Sequence, residues 1–222
     1  TGYVHRGCGQ RSALEVRQSL GLGATEPLVL VTPGGGGDGD RLLTTYLQSL
    51  DCLPPTTSLT SLIIGGPELP TDKKPALLRQ IASTPRTHWL DYTDDLASYM
   101  VAADGVVSMG GYNTICEILS LGKRAVVVPR IEPVQEQWIR AQRMAELGLF
   151  HALHPDQLTP ARLAAALMAQ LNSPPQLPSP TIDMEALPRI THLLRGLLAP
   201  QWPGPNASGL PCPLSNLEVA IS

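Results

Sequence analysis

Short apolar runs, many of them β-branched, alternate with amphipathic stretches along most of the chain. Runs of this length that stay apolar throughout are typical of strands buried on both faces of a sheet. They predict strands over 28–31, 59–64, 87–92, 105–108, 125–128 and 149–153. Apolar residues at helical spacing predict helices over 40–50, 73–83, 96–102, 113–121, 134–147, 160–171 and 184–198. This alternation predicts an α/β fold, with a Rossmann-like parallel sheet and helices on both faces.

The composition changes after residue 172, and we therefore divide the chain there. Residues 1–172 form the predicted α/β domain. Residues 173–222 begin with a proline-rich link, continue with the helix at 184–198 and end in a stretch rich in Pro, Gly, Asn and Ser. That last stretch is expected to be poorly ordered. The chain begins with Thr1-Gly2-Tyr3-Val4 and no methionine, from which we expect an N-terminal half to precede it.

Charge and cysteine usage argue against several classes of protein. The net charge is −3 and 16% of the residues are charged, so no basic patch indicates a nucleic-acid partner. Cys8, Cys52, Cys116 and Cys212 are scattered, without a CxxC pair or a histidine cluster. This pattern predicts free thiols in a reducing cytosol, and neither a zinc site nor a disulfide framework. No apolar run reaches the roughly 18 residues of a membrane span, and no signal peptide opens the chain.

A glycine-rich loop, Gly34-Gly-Gly-Gly-Asp-Gly39, lies between the first predicted strand and the first predicted helix. Glycines allow the backbone to approach a ligand closely and to adopt positive φ. The helix that follows offers free N–H groups to a phosphate. The loop lacks both the later acidic residue of a dinucleotide fingerprint and the Gly-Lys-Ser/Thr of a P-loop. Taken alone, it is consistent with phosphate binding or with a flexible turn.

A second glycine turn, Gly110-Gly111, follows the fourth predicted strand and precedes a helix that begins near Asn113. It predicts a second anion site at a helix N-terminus. Glu117 lies one turn into that helix, where a carboxylate can accept hydrogen bonds from the two hydroxyls of a ribose. The alternative is a first-turn glutamate that only offsets the helix dipole.

A third motif, residues 123–137, carries the fifth predicted strand into a loop and then a helix start at Gln135, Glu136 and Gln137. Amide and carboxylate side chains at that point can bind sugar hydroxyls, but they also suit an ordinary polar helix start. Arg130 in the loop can pair with a phosphate or form a surface ion pair. The motif alone does not decide between these interpretations.

Together the motifs resemble one family. The pattern Ala-Asp-x-Val-Val-Ser-x-Gly-Gly-x-x-Thr-x-x-Glu-x-Leu-x-Leu-Gly-Lys is followed by Val-Val-Pro, a glutamine-rich helix start and Ala-x-x-x-x-x-Leu-Gly. It resembles the C-terminal domain of glycosyltransferase family 28, which includes the bacterial N-acetylglucosaminyltransferase that makes lipid II. The resemblance covers roughly residues 1–171. It implies one half of a GT-B fold, in which two Rossmann-like domains face a cleft and the C-terminal one holds a nucleotide-sugar donor.

The resemblance also implies roles for individual residues. Glu117 would bind the donor ribose, and Glu136 and Gln137 would contact the donor sugar. The diphosphate would lie against a helix start and a glycine loop, formed by Gly110, Gly111, Tyr112, Asn113 and Thr114, and by Gly35, Gly36, Gly37 and Gly39.

Three departures from the family pattern leave the donor sugar open. The lipid II enzyme has two glutamines where this chain has Glu136 and Gln137. It has an asparagine where this chain has Arg140, and a serine where this chain has Gly37. N-acetylglucosamine is therefore not assumed.

The resulting prediction is the donor half of a hexosyltransferase, which binds a nucleoside diphosphate sugar, UDP-linked as in most of the resembling family, for transfer to an acceptor hydroxyl. No metal or other cofactor is expected, because helix N-termini and a cation would stabilise the departing diphosphate; Arg130 is the candidate cation. The acceptor site and general base would belong to the N-terminal domain, so these residues alone should bind donor and transfer nothing. We expect a cytoplasmic location, with contact to the inner face of the membrane through that domain.

Two other functions remain open at this point. The chain could be a non-catalytic nucleotide-sugar-binding subunit that docks on a membrane partner. It could also be a related hydrolase or epimerase of nucleotide sugars, although the sequence offers no evident His/Glu acid–base pair.

Overall fold

The sheet has six strands, all parallel, in the order β3-β2-β1-β4-β5-β6. The computed structural model describes residues 2–4, 7, 9–35, 37–174 and 182–198. The strands are β1 (Leu28–Thr32), β2 (Thr60–Ile64), β3 (Thr87–Leu90), β4 (Gly105–Ser108), β5 (Ala125–Val127) and β6 (His151–Ala152). This architecture confirms the predicted α/β fold. Because the chain adds strands outward from β1 to β3 and then crosses back to add β4 on the other side of β1, the order in which strands are added reverses between β1 and β4.

The helices of the described residues agree with the predicted ones to within two residues at either end. They are α1 (Ala13–Ser19), α2 (Asp40–Leu50), α3 (Lys74–Ser83), α4 (Leu96–Ala102), α5 (Tyr112–Ser120), α6 (Glu136–Glu146), α7 (Pro160–Asn172) and α8 (Ala186–Leu198). Only α1 was not predicted. Its signal is present in the sequence, since Ser12 and Glu15 form a capping box at its start.

The core lies on both faces of the sheet, with β1 at its centre. Successive residues of a strand point to opposite faces. Val29 and Val31 accordingly pack with α2 and α7, whereas Leu28 and Leu30 pack with α4 and α5. Every residue of β1 is buried. Burial on both faces explains why this strand is continuously apolar rather than alternating.

Asp104, which precedes β4 in the second motif, holds the edge of the sheet at which the strands begin. Its carboxylate accepts a hydrogen bond from the Leu28 N–H at 2.8 Å and pairs with Arg17 of α1 at 2.7 Å. The guanidinium of Arg17 also donates to the Ala102 and Glu26 carbonyl oxygens. Asp104 therefore joins β1, β4 and α1, and its place in the motif is structural.

Tyr46 joins α2 to the sheet through a buried hydrogen bond. Its hydroxyl lies 2.7 Å from the Ser61 Oγ of β2, and its side chain is fully buried. Tyr46→Phe should lower the free energy of unfolding by about 1 kcal/mol, because Ser61 loses its buried partner. Chemical denaturation measures this loss. In the exposed control, Tyr92→Phe, the change should stay below about 0.5 kcal/mol; equal losses in both variants would contradict the role of the bond.

The last described segment returns to the start of the chain. The Tyr3 N–H donates to the Asp183 carbonyl at 2.7 Å, and the Ala186 N–H donates to the Tyr3 carbonyl at 3.2 Å. The domain boundary at residue 172 stays a prediction. The proposed link and tail lie for the most part outside the described residues, which stop at 174 and resume at 182–198.

Two further predictions concern thiols and membranes. Cys52 and Cys116 are free thiols, whereas Cys8 and Cys212 lie outside the described residues. Within the part of the chain that the structure describes, no helix is both long and apolar enough to cross a membrane.

Candidate functional site

A cleft of about 490 Å³ opens at the carboxyl ends of the strands. It lies at the switch point between β1 and β4, and residues that follow β1, β2, β3, β4 and β5 line it. In open parallel sheets, the loops on either side of such a point diverge and leave a crevice in which ligands bind. The first glycine loop and the Gly110–Gly111 turn lie on opposite sides of this point, so the fold brings the first two sequence motifs together.

The start of α5 forms one wall of the cleft. Gly111 caps this helix and, as a glycine, offers no side-chain acceptor to its first N–H groups. Gly110 must be glycine, because a Cβ there would lie 2.8 Å from the Pro129 Cβ. A Cβ on Gly111 would meet nothing within 4 Å. Gly111, together with Tyr112, Asn113 and Thr114, lines the cleft.

Glu117 lies one turn further along α5 and also lines the cleft. The residue is 7% exposed, so its carboxylate is largely shielded from solvent. A polar ligand that reaches this depth meets a negatively charged acceptor close behind the positive end of the helix dipole. The position suits a group that donates hydrogen bonds.

The first glycine loop forms the facing wall through Gly34 and Gly35. Gly34 has a φ of 76°, and its N–H donates to the Thr32 Oγ1 at 3.2 Å. The loop after β2 packs against it, since the Glu68 N–H donates to the Gly35 carbonyl at 2.7 Å. Gly66 has a φ of 88°, and a Cβ there would lie 2.2 Å from the Gly34 carbonyl oxygen. The loop after β2 therefore holds the first glycine loop in place.

The remaining predicted loop glycines lie elsewhere. Gly37 lines an adjoining depression beside Arg130, and Gly39 is the N-cap of α2. Gly36 lies outside the described residues. Of the four loop glycines predicted to contact a diphosphate, Gly35 is thus the one that the described structure places in the cleft.

Arg130 is the one cation among the described residues that line the cleft. Its Nε donates to Asp38 Oδ2 at 2.7 Å, and its Nη2 contacts the other carboxylate oxygen. The Asp38 carboxylate raises the pKa of Arg130 above its ordinary value, so the guanidinium stays charged at every pH of interest. Within the described part of the chain, no group accepts a hydrogen bond from Nη1.

The two residues predicted to contact the donor sugar, Glu136 and Gln137, face different surfaces at the start of α6. Gln137 lines the cleft, and its Oε1 accepts a hydrogen bond from the Arg130 N–H at 3.2 Å. Glu136 instead pairs with Arg140, one helical turn along, and lines a neighbouring groove. Tyr112 lines both the cleft and this groove. The structure therefore brings Gln137 to the first two motifs and leaves Glu136 beside them.

Sequence reasoning missed several residues of the cleft. Glu68 follows β2, and Tyr92, Thr93 and Asp94 follow β3; all four line the cleft. Their signal was available, because residues directly after parallel strands meet at the same edge of the sheet. Among the described residues, no group of three or more His, Cys, Asp or Glu is placed to hold a metal ion.

A parallel sheet in this order, with a glycine loop after β1 and a glycine-capped helix start after β4, defines a Rossmann-like domain. Comparison with known proteins identifies the family of this domain. The chain matches the glycosyltransferase family 28 C-terminal domain over residues 29–192, and it belongs to that family.

The chain is similar to several glycosyltransferases. An uncharacterised glycosyltransferase of Methanopyrus kandleri is 29% identical over 152 residues, which are 68% of this chain and 40% of that protein. The UDP-N-acetylglucosamine–N-acetylmuramyl-(pentapeptide) pyrophosphoryl-undecaprenol N-acetylglucosamine transferase of Clavibacter michiganensis is 30% identical over 162 residues, covering 72% of this chain and 41% of that one. The chain thus spans about two fifths of these relatives' length.

Solved structures support the GT-B assignment of the fold. MurG of Acinetobacter baumannii aligns with a TM-score of 0.58 at 22% identity, over 73% of this chain and 45% of that one. The lipopolysaccharide glycosyltransferase WaaG aligns with a TM-score of 0.60 at 16% identity, over 87% and 55%. Anabaena HepE, solved with UDP and glucose, aligns with a TM-score of 0.58 at 19% identity, over 84% and 51%. The domain is therefore one Rossmann-like unit of the GT-B type.

Proposed function

We propose that this domain binds a nucleoside diphosphate sugar in the cleft between β1 and β4 and presents it for transfer to an acceptor hydroxyl. One observation carries the proposal: the glycine-capped start of α5 faces the first glycine loop across the cleft, with the Glu117 carboxylate one turn deeper. Helix N-termini and glycine loops bind phosphate, whereas a buried carboxylate accepts hydrogen bonds from hydroxyls. The pair suits the two ends of a ribose–diphosphate group.

The proposal gives each part of the donor a place. The diphosphate lies between Gly34–Gly35 and the start of α5, and the ribose hydroxyls reach Glu117. Arg130 stands at the mouth with its Nη1 edge directed away from Asp38, and it donates to the departing diphosphate. Gln137, rather than Glu136, forms hydrogen bonds to the hydroxyls of the donor sugar. The N–H dipoles and the guanidinium are fixed before the bond to the sugar breaks, so they stabilise the developing charge without reorganisation.

The identity of the donor base is proposed from the relatives. The Clavibacter enzyme is named for UDP-N-acetylglucosamine, HepE was solved with UDP, and the glycosyltransferase VinC was solved with dTDP. UDP is therefore the first candidate and dTDP the second. The acceptor site and the general base are proposed to lie in an N-terminal domain, which corresponds to the part of the relatives that this chain does not span. No histidine occurs among the described residues that line the cleft.

Titration calorimetry with UDP, GDP, ADP and dTDP tests the proposal. At least one of the four should bind one molecule per chain with a dissociation constant below about 1 mM, or roughly 4 kcal/mol of binding free energy. UDP should bind best. The corresponding nucleoside should bind more weakly than its diphosphate, because it lacks the group that meets α5. If none of the four diphosphates binds, the donor-site assignment is wrong.

A further inference from the structure

Arg140 connects α6 to the turn that precedes α5. Its Nη2 donates to the Gly110 carbonyl oxygen at 2.6 Å, and its side chain is only 12% exposed. Its guanidinium carbon lies 5.8 Å from the centre of the Tyr112 ring. Arg140 thus contacts both the residue before Gly111 and the first residue of the helix. It does not line the cleft itself.

The turn needs an anchor of this kind. Gly110 and Gly111 are consecutive glycines, and neither has a Cβ to restrict the peptide that joins them. Pro129 packs against Gly110 on one side, but that contact does not fix the direction of the following peptide group. Among the described residues, the hydrogen bond given for the Gly110 carbonyl oxygen is the one that the Arg140 Nη2 donates.

The direction of the peptide matters because its two polar groups are linked. In a trans peptide, the carbonyl of one residue and the N–H of the next point in opposite directions. Arg140 lines the groove and bonds the Gly110 carbonyl, so the Gly111 N–H points away from Arg140. Gly111 itself lines the cleft. A flip of this peptide would turn a carbonyl dipole toward the place proposed for the diphosphate.

We propose that Arg140 is a positioning residue for the donor diphosphate: it prevents the Gly110–Gly111 peptide from flipping and so keeps an N–H donor directed at the ligand. The inference rests on the proposed function of the cleft. Arg140 affects the ligand by fixing the orientation of the peptide and not by its own charge, because Glu136 already neutralises that charge in an i,i+4 pair. The nucleoside end of the donor, near Glu117, should not sense it.

Three variants separate positioning from charge and from packing. Arg140→Met removes the hydrogen bond and keeps an apolar stem, and Arg140→Lys keeps one donor. Arg143→Met is the matched control, since Arg143 lies on the same helix, lines the same groove and is exposed. It removes the same charge without touching the turn. The ligands are UDP and uridine, or the matching pair if the four-nucleotide titration selects another base.

Arg140→Met should weaken UDP binding about tenfold, the loss expected for one oriented hydrogen bond to a charged group. Its affinity for uridine should stay within about twofold of wild type. Arg140→Lys should recover part of the UDP affinity, and Arg143→Met should bind UDP like wild type. Thermal melts of each variant show whether the fold is retained, and the Lys variant carries the test if the Met variant unfolds.

Three results would overturn the inference. Arg140→Met, or the Lys variant in its place, could bind UDP as wild type does. UDP and uridine could weaken equally, which would indicate a general structural defect. Arg143→Met could lose as much UDP affinity as Arg140→Met, which would indicate a charge effect. If wild type itself binds no nucleoside diphosphate, the proposed function fails first, and the titration of the wild-type chain distinguishes that case.

Discussion

Glu117→Ala should weaken binding of the nucleoside diphosphate by about 1.5–3 kcal/mol, the value of hydrogen bonds to a charged group. That range corresponds to roughly a ten- to hundredfold rise in the dissociation constant. The reason is its place in the cleft: the residue is 7% exposed and lies one turn below the start of α5. The loss of two ribose contacts in so shielded a position cannot be made good by water. Calorimetry of both proteins with UDP measures the change.

A change in the ligand provides the control for this variant. Wild type should bind 2′,3′-dideoxyuridine diphosphate more weakly than UDP, whereas Glu117→Ala should hardly distinguish the two ligands. The two losses should therefore not add, as expected for groups in direct contact. Glu117→Gln, which keeps one acceptor oxygen, should lie between. If the alanine variant binds UDP as tightly as wild type, Glu117 does not bind the ribose and only offsets the dipole of α5.

Gly66→Ala should disrupt both binding and stability. A Cβ at this position would lie 2.2 Å from the Gly34 carbonyl oxygen, and the backbone φ is 88°. The methyl group must therefore displace the first glycine loop, which forms one wall of the cleft. Backbone strain of this type costs of the order of 1–3 kcal/mol in unfolding free energy. We also expect UDP affinity to fall at least about tenfold, or roughly 1.4 kcal/mol.

Gly21→Ala separates strain from the clash. Gly21 also has a positive φ, 70°, but a Cβ there would meet nothing within 4 Å. It lies beyond the end of α1 and does not line the cleft. This variant should lose stability through strain alone and bind UDP like wild type. Denaturation and titration of both variants give the comparison; retention of UDP affinity in Gly66→Ala would show that the loop contact does not shape the site.

The sequence predicted the site as far as local pattern and sheet topology can carry it. Each apolar run became a strand close to its predicted bounds. Because the carboxyl ends of parallel strands share one edge, the motifs around Gly34 and Gly110 had to lie at the same edge of the sheet. What decides that they meet across a cleft is the strand order, with β1 next to β4, and that order is a property of the whole sheet.

The finer features depend on contacts that no local pattern contains. Glu136 and Gln137 are neighbours in sequence. Glu136 nevertheless pairs with Arg140 and lines the groove, whereas Gln137 lines the cleft. Gly66 lies about thirty residues from the glycine loop that it supports. The role of Arg140 at the Gly110 carbonyl is likewise a tertiary contact. These are the features in which this domain can differ from relatives with the same motifs.

If the cleft between β1 and β4 holds a nucleoside diphosphate, a UDP titration of an isotope-labelled chain should locate it through the backbone amide chemical shifts. The largest shifts are expected at Gly34, Gly35, Gly111 and Asn113, which line the two walls. The amides at the opposite edge of the sheet, such as that of Leu28, should hardly move. Shifts concentrated in the neighbouring groove around Tyr3 and Leu147, or no shifts at all, would contradict binding in the cleft.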